Sequence, residues 1–148
     1  MKVAIVFTSM TGNTEEIAEI IAKHLKASDI TVDMFQINYD DIMASDLSNY
    51  QAILFGTYTW GDGDLPYEVE DFSDDLAEED MSGKFVALFG SCDSYYPQYG
   101  TAIDRMAEQF QSIGATVIQP LLKVDLAPNE EDIERCEVFA KSFIEKIK

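Results

Sequence analysis

Five short apolar runs punctuate the chain: Lys2–Thr8, Ile30–Ile37, Ala52–Gly56, Phe85–Gly90 and Val117–Val124. Three of them, KVAIVFT, AILFG and FVALFG, are continuous rather than alternating. That pattern predicts strands covered on both faces, as in a parallel sheet. The run ITVDMFQI alternates more, which predicts a strand toward an edge. Between and after the runs lie helical patterns at Thr14–Lys26, Glu68–Leu76, Ile103–Ile113 and Asp132–Lys148. The last sets Ile133, Cys136, Phe139, Ala140, Phe143 and Ile147 on one face at 3–4 spacing. Asn38–Asn49 carries the weakest pattern, compatible with a short helix around Asp40–Met43 or with a loop.

Repeated strand–helix alternation predicts an α/β, doubly wound parallel sheet with helices on both faces and right-handed crossovers. No internal repeat, low-complexity tract or linker interrupts it, so residues 1–148 read as a single domain. Open sheets of this kind bind ligands beyond the carboxyl ends of their strands, where strand order reverses. Three loops occupy such positions: Ser9–Thr14, Gly56–Pro66 and Gly90–Gly100.

The first loop, SMTGNT, leads from a strand into a helix. A helix N-terminus presents unpaired backbone N–H groups and a partial positive potential, which hold phosphate without a cation. The hydroxyls of Ser9, Thr11 and Thr14 and the Asn13 amide add donors, and Gly12 permits a close turn. A helix cap alone needs one such residue, not four. The chain lacks GxxxxGK[ST] and GxGxxG, which leaves a monophosphate ester as the matching ligand. The second loop, GTYTWGDGDLP, holds the chain's only tryptophan, Trp60, among polar and flexible neighbours. The third, GSCDSYYPQYG, offers Tyr95, Tyr96 and Tyr99. Two aromatic loops can sandwich a flat ring, and a phosphate with a stacked ring describes a mononucleotide.

Charge narrows the partners. Ten Lys and Arg stand against 28 Asp and Glu, a formal net charge of −18, which argues against nucleic acid. Asp62–Asp80 contains ten carboxylates and no cation, a field suited to steering a basic protein. With 47% apolar residues and no run approaching the ~18 of a membrane span, the chain reads as soluble. Its N-terminal apolar run reads as a buried strand, not a signal peptide, and a cytoplasmic location is expected. Cys92 and Cys136 are expected as free thiols. The single histidine, His24, is expected as an ordinary surface residue, and no metal site is expected.

The three loops together resemble those of flavodoxins. Ser9-Met10-Thr11-Gly12-Asn13-Thr14 matches the family's [ST]-x-T-G-x-T phosphate loop, and TWGDG and GSCDSYY resemble its flavin-stacking loops. The likeness runs over essentially the whole chain. The run VIQPLLKVD, read as an uninterrupted final strand, is similar to the short-chain type. The resemblance implies a five-stranded sheet in the order 2-1-3-4-5, with FMN at its switch point, for which flavodoxin is a standard example.

It also implies roles. Ser9, Thr11, Asn13 and Thr14, with the backbone of Met10 and Gly12, would hold the FMN phosphate, with Tyr58 nearby. Thr57, Thr59, Trp60, Gly61 and Asp62 would form the inner flavin loop, with Trp60 covering the inner face. Tyr96 or Tyr95 would stack on the outer face, with Tyr99 in the same loop. Backbone groups of Ser91, Cys92 and Asp93 would address the pyrimidine edge. The implied function is a low-potential one-electron carrier, not an enzyme, cycling among oxidised, neutral semiquinone and anionic hydroquinone FMN. The Gly61–Asp62 peptide would turn to accept a hydrogen bond from flavin N5, and Asp62, Asp64, Glu68 and Asp93 would disfavour added negative charge. Partners would be basic surfaces of flavoprotein reductases and acceptor redox enzymes, met transiently by a monomer.

Two rivals share the strand order. A phosphorylation-switched receiver needs an acceptor Asp after the third strand, where this chain has Gly56-Thr57. An FMN-dependent NAD(P)H quinone or nitro reductase needs a second pocket beside the ring, for which two aromatic covers leave little space.

Overall fold

The runs KVAIVF, AILFG and FVALFG become central strands because both of their faces meet helices. The computed structural model describes residues 1–59 and 63–148. The strands are β1 (Lys2–Phe7), β2 (Thr31–Gln36), β3 (Ala52–Gly56), β4 (Phe85–Cys92), β5 (Thr116–Val117) and β6 (Leu122–Asp125). The helices are α1 (Asn13–Ala27), α2 (Tyr67–Leu76), α3 (Thr101–Ser112) and α4 (Glu130–Ile147). All described pairings are parallel, in the order β2-β1-β3-β4-β5, with β6 also pairing β4.

Alternate residues of β1 supply two cores. Val3, Ile5 and Phe7 pack with Ile17, Ile21 and Leu25 of α1 and Phe139 and Phe143 of α4. Ala4 and Val6 face the other layer, with Phe55 of β3, Val69 and Phe72 of α2, and Phe110 of α3. Phe55 touches the rings of Phe72 and Phe110 at centroid distances of 5.8 and 5.6 Å. A period-2 strand buried on both sides needs apolar residues at every position, which is why these runs do not alternate. The more polar β2 lies at the sheet edge, as its alternation predicts, and most of its residues are half-buried.

The final run departs from the expected continuous strand. It pairs with β4 in two pieces, Thr116–Val117 and Leu122–Asp125, and the intervening residues include a cis Gln119–Pro120 bond. Proline has no N–H to give a ladder, so apolar composition alone overstated the strand. Three further expectations are corrected. The stretch after β2 forms a 3-10 helix at Ala44–Asn49, not a helix around Asp40–Met43. Ile133 is exposed, because α4 turns its buried face to the sheet only from Cys136 onward. His24 is half-buried, its Nε2 3.6 Å from Glu137 Oε1 across the α1–α4 seam. No helix among the described residues is long and apolar enough to cross a membrane.

Register brings the carboxyl ends of the central strands together. Phe7 pairs with Gly56, Gly56 with Phe89 and Cys92 with Asp125. From β1 the chain crosses first to β2 on one side and then to β3 on the other, so the reversal lies between β1 and β3. Close backbone approach there demands glycine: a Cβ on Gly90 would stand 1.7 Å from the Thr57 carbonyl oxygen.

Candidate functional site

At that reversal a cleft of about 440 Å³ opens, within the usual size range of small-molecule sites. It is lined by the first loop (Ser9, Met10, Thr11, Asn13, Thr14), by Tyr58 and Thr59, by Ser91, Cys92, Asp93 and Tyr96, and by Leu126. No Lys, Arg or His is among these lining residues. A similar volume of about 460 Å³ lies between α4 and the broken edge strand, but its walls are mainly apolar, including Ile118, Leu122, Val138 and Phe143. Of these two, the first combines the N-terminus of α1 with clustered hydroxyls.

Gly12 precedes α1 with φ of 93°, a left-handed conformation that glycine adopts without a Cβ penalty. This turn lets Ser9 Oγ accept from Gly12 N–H at 3.1 Å and from Glu15 N–H at 3.3 Å. Ser9 therefore caps the helix from three residues before its N-cap. Thr14 Oγ1 accepts from the buried Ser91 N–H at 3.3 Å. A hydroxyl has two lone pairs and one proton, so both groups keep an O–H to donate. The side chains of Thr11 and Asn13 make no hydrogen bond to the other described residues. The first backbone N–H groups of α1 also lack helical acceptors.

The opposite wall is a constrained turn after β4. Asp93 Oδ1 accepts from Tyr95 N–H at 2.9 Å, and the Asp93 carbonyl accepts from Tyr96 N–H at 3.1 Å. Asp125, the last residue of β6, accepts from Ser94 N–H at 2.9 Å and from the Ser94 hydroxyl at 2.8 Å. Those bonds hold the Asp125 carboxyl below the usual carboxylate range, the backbone N–H contributing most. Tyr96 faces the cleft at 39% exposure, whereas Tyr95 stands out at 85% with its ring edge-on to Tyr96. Burial is the main reason the Cys92 thiol is pushed up to about 12, so Cys92 offers bulk rather than a thiolate.

Several expected residues stand behind the wall. Thr57 is fully buried; its N–H bonds the Phe89 carbonyl and its hydroxyl donates to the Tyr58 carbonyl at 2.8 Å. Tyr99 is half-buried, and its carbonyl accepts from Lys123 Nζ at 3.4 Å, the same ammonium that meets Asp104 at 2.8 Å. Thr59, by contrast, lines the cleft and accepts weakly from Ala102 N–H at 3.4 Å, linking the second loop to α3. Gly12 shapes the first loop without lining the cleft. Trp60, Gly61 and Asp62 lie outside the described residues.

Two contributors escaped the sequence reading. Leu126, with φ of 58°, lines the cleft, and its N–H bonds the Cys92 carbonyl at 2.8 Å. Asp125 anchors the Tyr96 turn. The position of VDLAP at the carboxyl end of the last strand was the available signal, since that end joins the same edge as the other three. Among the described residues no group of three or more His, Cys, Asp and Glu is placed to hold a metal.

Comparison with known proteins places this geometry in a family. The model for the flavodoxin family matches residues 5–139. The chain is 44% identical to the protein named probable flavodoxin 1 of Bacillus subtilis, over 97% of this chain and 90% of that protein. It is 37% identical to probable flavodoxin 2 of the same organism, over 98% and 95%. The crystal structure of oxidised flavodoxin 1 from Bacillus cereus superposes with a TM-score of 0.95, at 44% identity and 98% coverage of both chains.

Proposed function

The chain belongs to the flavodoxin family of FMN-binding electron carriers, and from that premise we propose that the cleft between the first and third loops holds its FMN. The donor set fits a phosphate monoester: hydroxyls, an amide and free helix N–H groups, with no cation among the lining residues. The observation that carries the assignment is the state of Ser9 and Thr14. Each hydroxyl accepts from a backbone N–H and retains its proton for an anion at the start of α1. Thr11 and Asn13 add donors free of other described partners, and the helix potential adds its own attraction.

At the other end Tyr96 offers a ring for stacking, braced edge-on by Tyr95 at a centroid distance of 5.4 Å. Ser91, Cys92 and Asp93 line the same end and would address the polar edge of the ring system. When bound, FMN supplies the redox chemistry, taking up and releasing single electrons. The chain's residues bind and orient it, shield it from water and set the field around it.

That field is negative. Asp64, Glu70, Asp71, Asp74 and Asp75 on and before α2 are exposed within a chain of net charge −18. Adding an electron near such groups is disfavoured, which supports a low-potential carrier. The same charge supports transient docking of basic surfaces on flavoprotein reductases and acceptor enzymes, by a monomer in the cytoplasm. Both effects weaken as salt screens the exposed carboxylates.

The test is a coupled assay with FMN-loaded protein, NADPH, a flavoprotein reductase and cytochrome c. Electrons reach cytochrome c only when reductase and carrier are both present, and the rate falls with ionic strength. Rapid NADPH oxidation by the loaded protein alone would overturn the carrier role and its partner dependence.

A further inference from the structure

A second cavity, of about 380 Å³, adjoins the first and is not used by the function proposed above. Its walls are Thr8, Ser9, Met10, Ile37, Asn38, Tyr39, Tyr58 and Glu68. Ser9, Met10 and Tyr58 line both cavities, so the two share a wall. We propose that this cavity is a socket for one arginine side chain of a redox partner, seated between Tyr39 and the Glu68 carboxylate beside the cofactor cleft. The proposal rests on the reading of the adjoining cleft as the FMN site.

The lining chemistry selects the occupant. Glu68 is half-buried, and no Lys, Arg or His lines the cavity with it. Tyr58 donates its hydroxyl to Glu68 Oε1 at 3.2 Å, which orients the carboxylate and leaves its second oxygen to accept. Burial, followed by the Glu68 charge, pushes the Tyr58 hydroxyl up to about 12, so it stays a donor at neutral pH. Tyr39 and Met10 line the same cavity at 80% and 62% exposure. A large aromatic and a thioether left in water around a half-buried carboxylate suit a planar cation. A guanidinium stacks on an aromatic face while pairing with the carboxylate, which an ammonium does less well.

Tyr39 is also held in place rather than frayed. Asn38 takes φ of 74°, a left-handed conformation that asparagine tolerates. Tyr39 N–H and Asp40 N–H both bond the Gln36 carbonyl, at 3.1 and 2.9 Å, and Asp40 Oδ2 accepts from Gln36 N–H at 2.7 Å. This turn presents the ring at the mouth of the cavity in the free protein. Buried tyrosine–arginine contacts are typical binding hot spots, and a preformed wall lowers the ordering cost of docking.

The test measures reduction of FMN-loaded protein by an NADPH-dependent flavoprotein reductase in stopped flow at low ionic strength. Glu68→Gln should slow the second-order rate about tenfold and Tyr39→Ala several-fold. Glu145→Gln removes the same charge from an exposed site on α4, outside the cavity and away from the acidic residues of α2, and should change the rate less than about twofold. Acetyl-arginine amide should compete with the reductase more strongly than acetyl-lysine amide at equal ionic strength. Reduction by dithionite, which needs no docking, should not be slowed in any of the three variants. Equal slowing by Glu68→Gln and Glu145→Gln, equal competition by the two amides, or slowed dithionite reduction would each overturn the socket. A wild-type protein that binds no FMN would instead overturn the cleft assignment beneath it.

Discussion

Thr14 Oγ1 accepts a hydrogen bond from Ser91 N–H at 3.3 Å, joining the first turn of α1 to the end of β4 across 77 residues of sequence. The bond fixes the separation between the donor-rich loop and the wall that carries Tyr96. It also satisfies a buried backbone donor. Thr14→Val removes the acceptor while keeping the shape, and should cost about 1–3 kcal/mol of stability. FMN affinity should fall at least tenfold. Thr14→Ser keeps the oxygen and should recover most of both losses. Urea unfolding of the apoprotein and flavin-fluorescence titration measure the two effects, and a Val variant with native stability would refute the role of this bond.

Gly90 makes a different prediction, because its obstruction is backbone. A Cβ there would meet the Thr57 carbonyl at 1.7 Å, and the two strands cannot part without breaking the Thr57 N–H bond to Phe89. Gly90→Ala should therefore destabilise by more than about 2 kcal/mol. At Gly12 the space is open and only φ is strained, so Gly12→Ala should cost about 1–2 kcal/mol. Thermal melts that rank the two variants the other way would contradict this account.

The two neighbouring tyrosines should separate cleanly. Tyr96 lines the cleft and Tyr95 is 85% exposed. Tyr96→Ala should weaken FMN binding by about tenfold, from the loss of about 1.5 kcal/mol of stacking. Tyr95→Ala, which removes only an edge-on brace, should weaken it by less. Equal losses by fluorescence titration would show that both rings form one platform.

Acid should release the Tyr96 turn. Asp125 is held below the usual carboxylate range by Ser94, so its contribution is present above about pH 3.9 and lost as pH falls through the depressed value. FMN affinity should decline over that acid window. Asp125→Asn cannot titrate there, so it should bind more weakly at neutral pH and show a shallower acid limb. An unchanged limb would mean that other carboxylates govern the decline.

Both cysteines should be inert in the native protein. Burial is the main cause that pushes the Cys92 thiol up to about 12 and the Cys136 thiol up to about 11. Iodoacetamide at pH 8 should label neither until urea unfolds the chain, as mass spectrometry would show. Fast native labelling at either position would contradict its burial.

Much was legible before any coordinates because it depends on local pattern. Unbroken apolar runs, as in KVAIVF, specify strands covered on both faces, since each successive side chain points to an opposite layer. The SMTGNT loop announces an anion site through residue chemistry alone: clustered donors at a helix start, without a cation. What only the tertiary structure decided concerns residues distant in sequence. Local pattern could not reveal that Ser9 spends its lone pairs on Gly12 and Glu15, or that Thr14 meets Ser91. Asp125 and Leu126 join the cleft because parallel register aligns four strand ends, a relation carried by no single stretch of sequence. Likewise the choice between Tyr95 and Tyr96 rests on a turn pinned from another strand, and the break before β6 on a proline that composition read as part of the run. Periodicity reports which face of an element is buried; only packing decides which elements meet, and the site is made where they do.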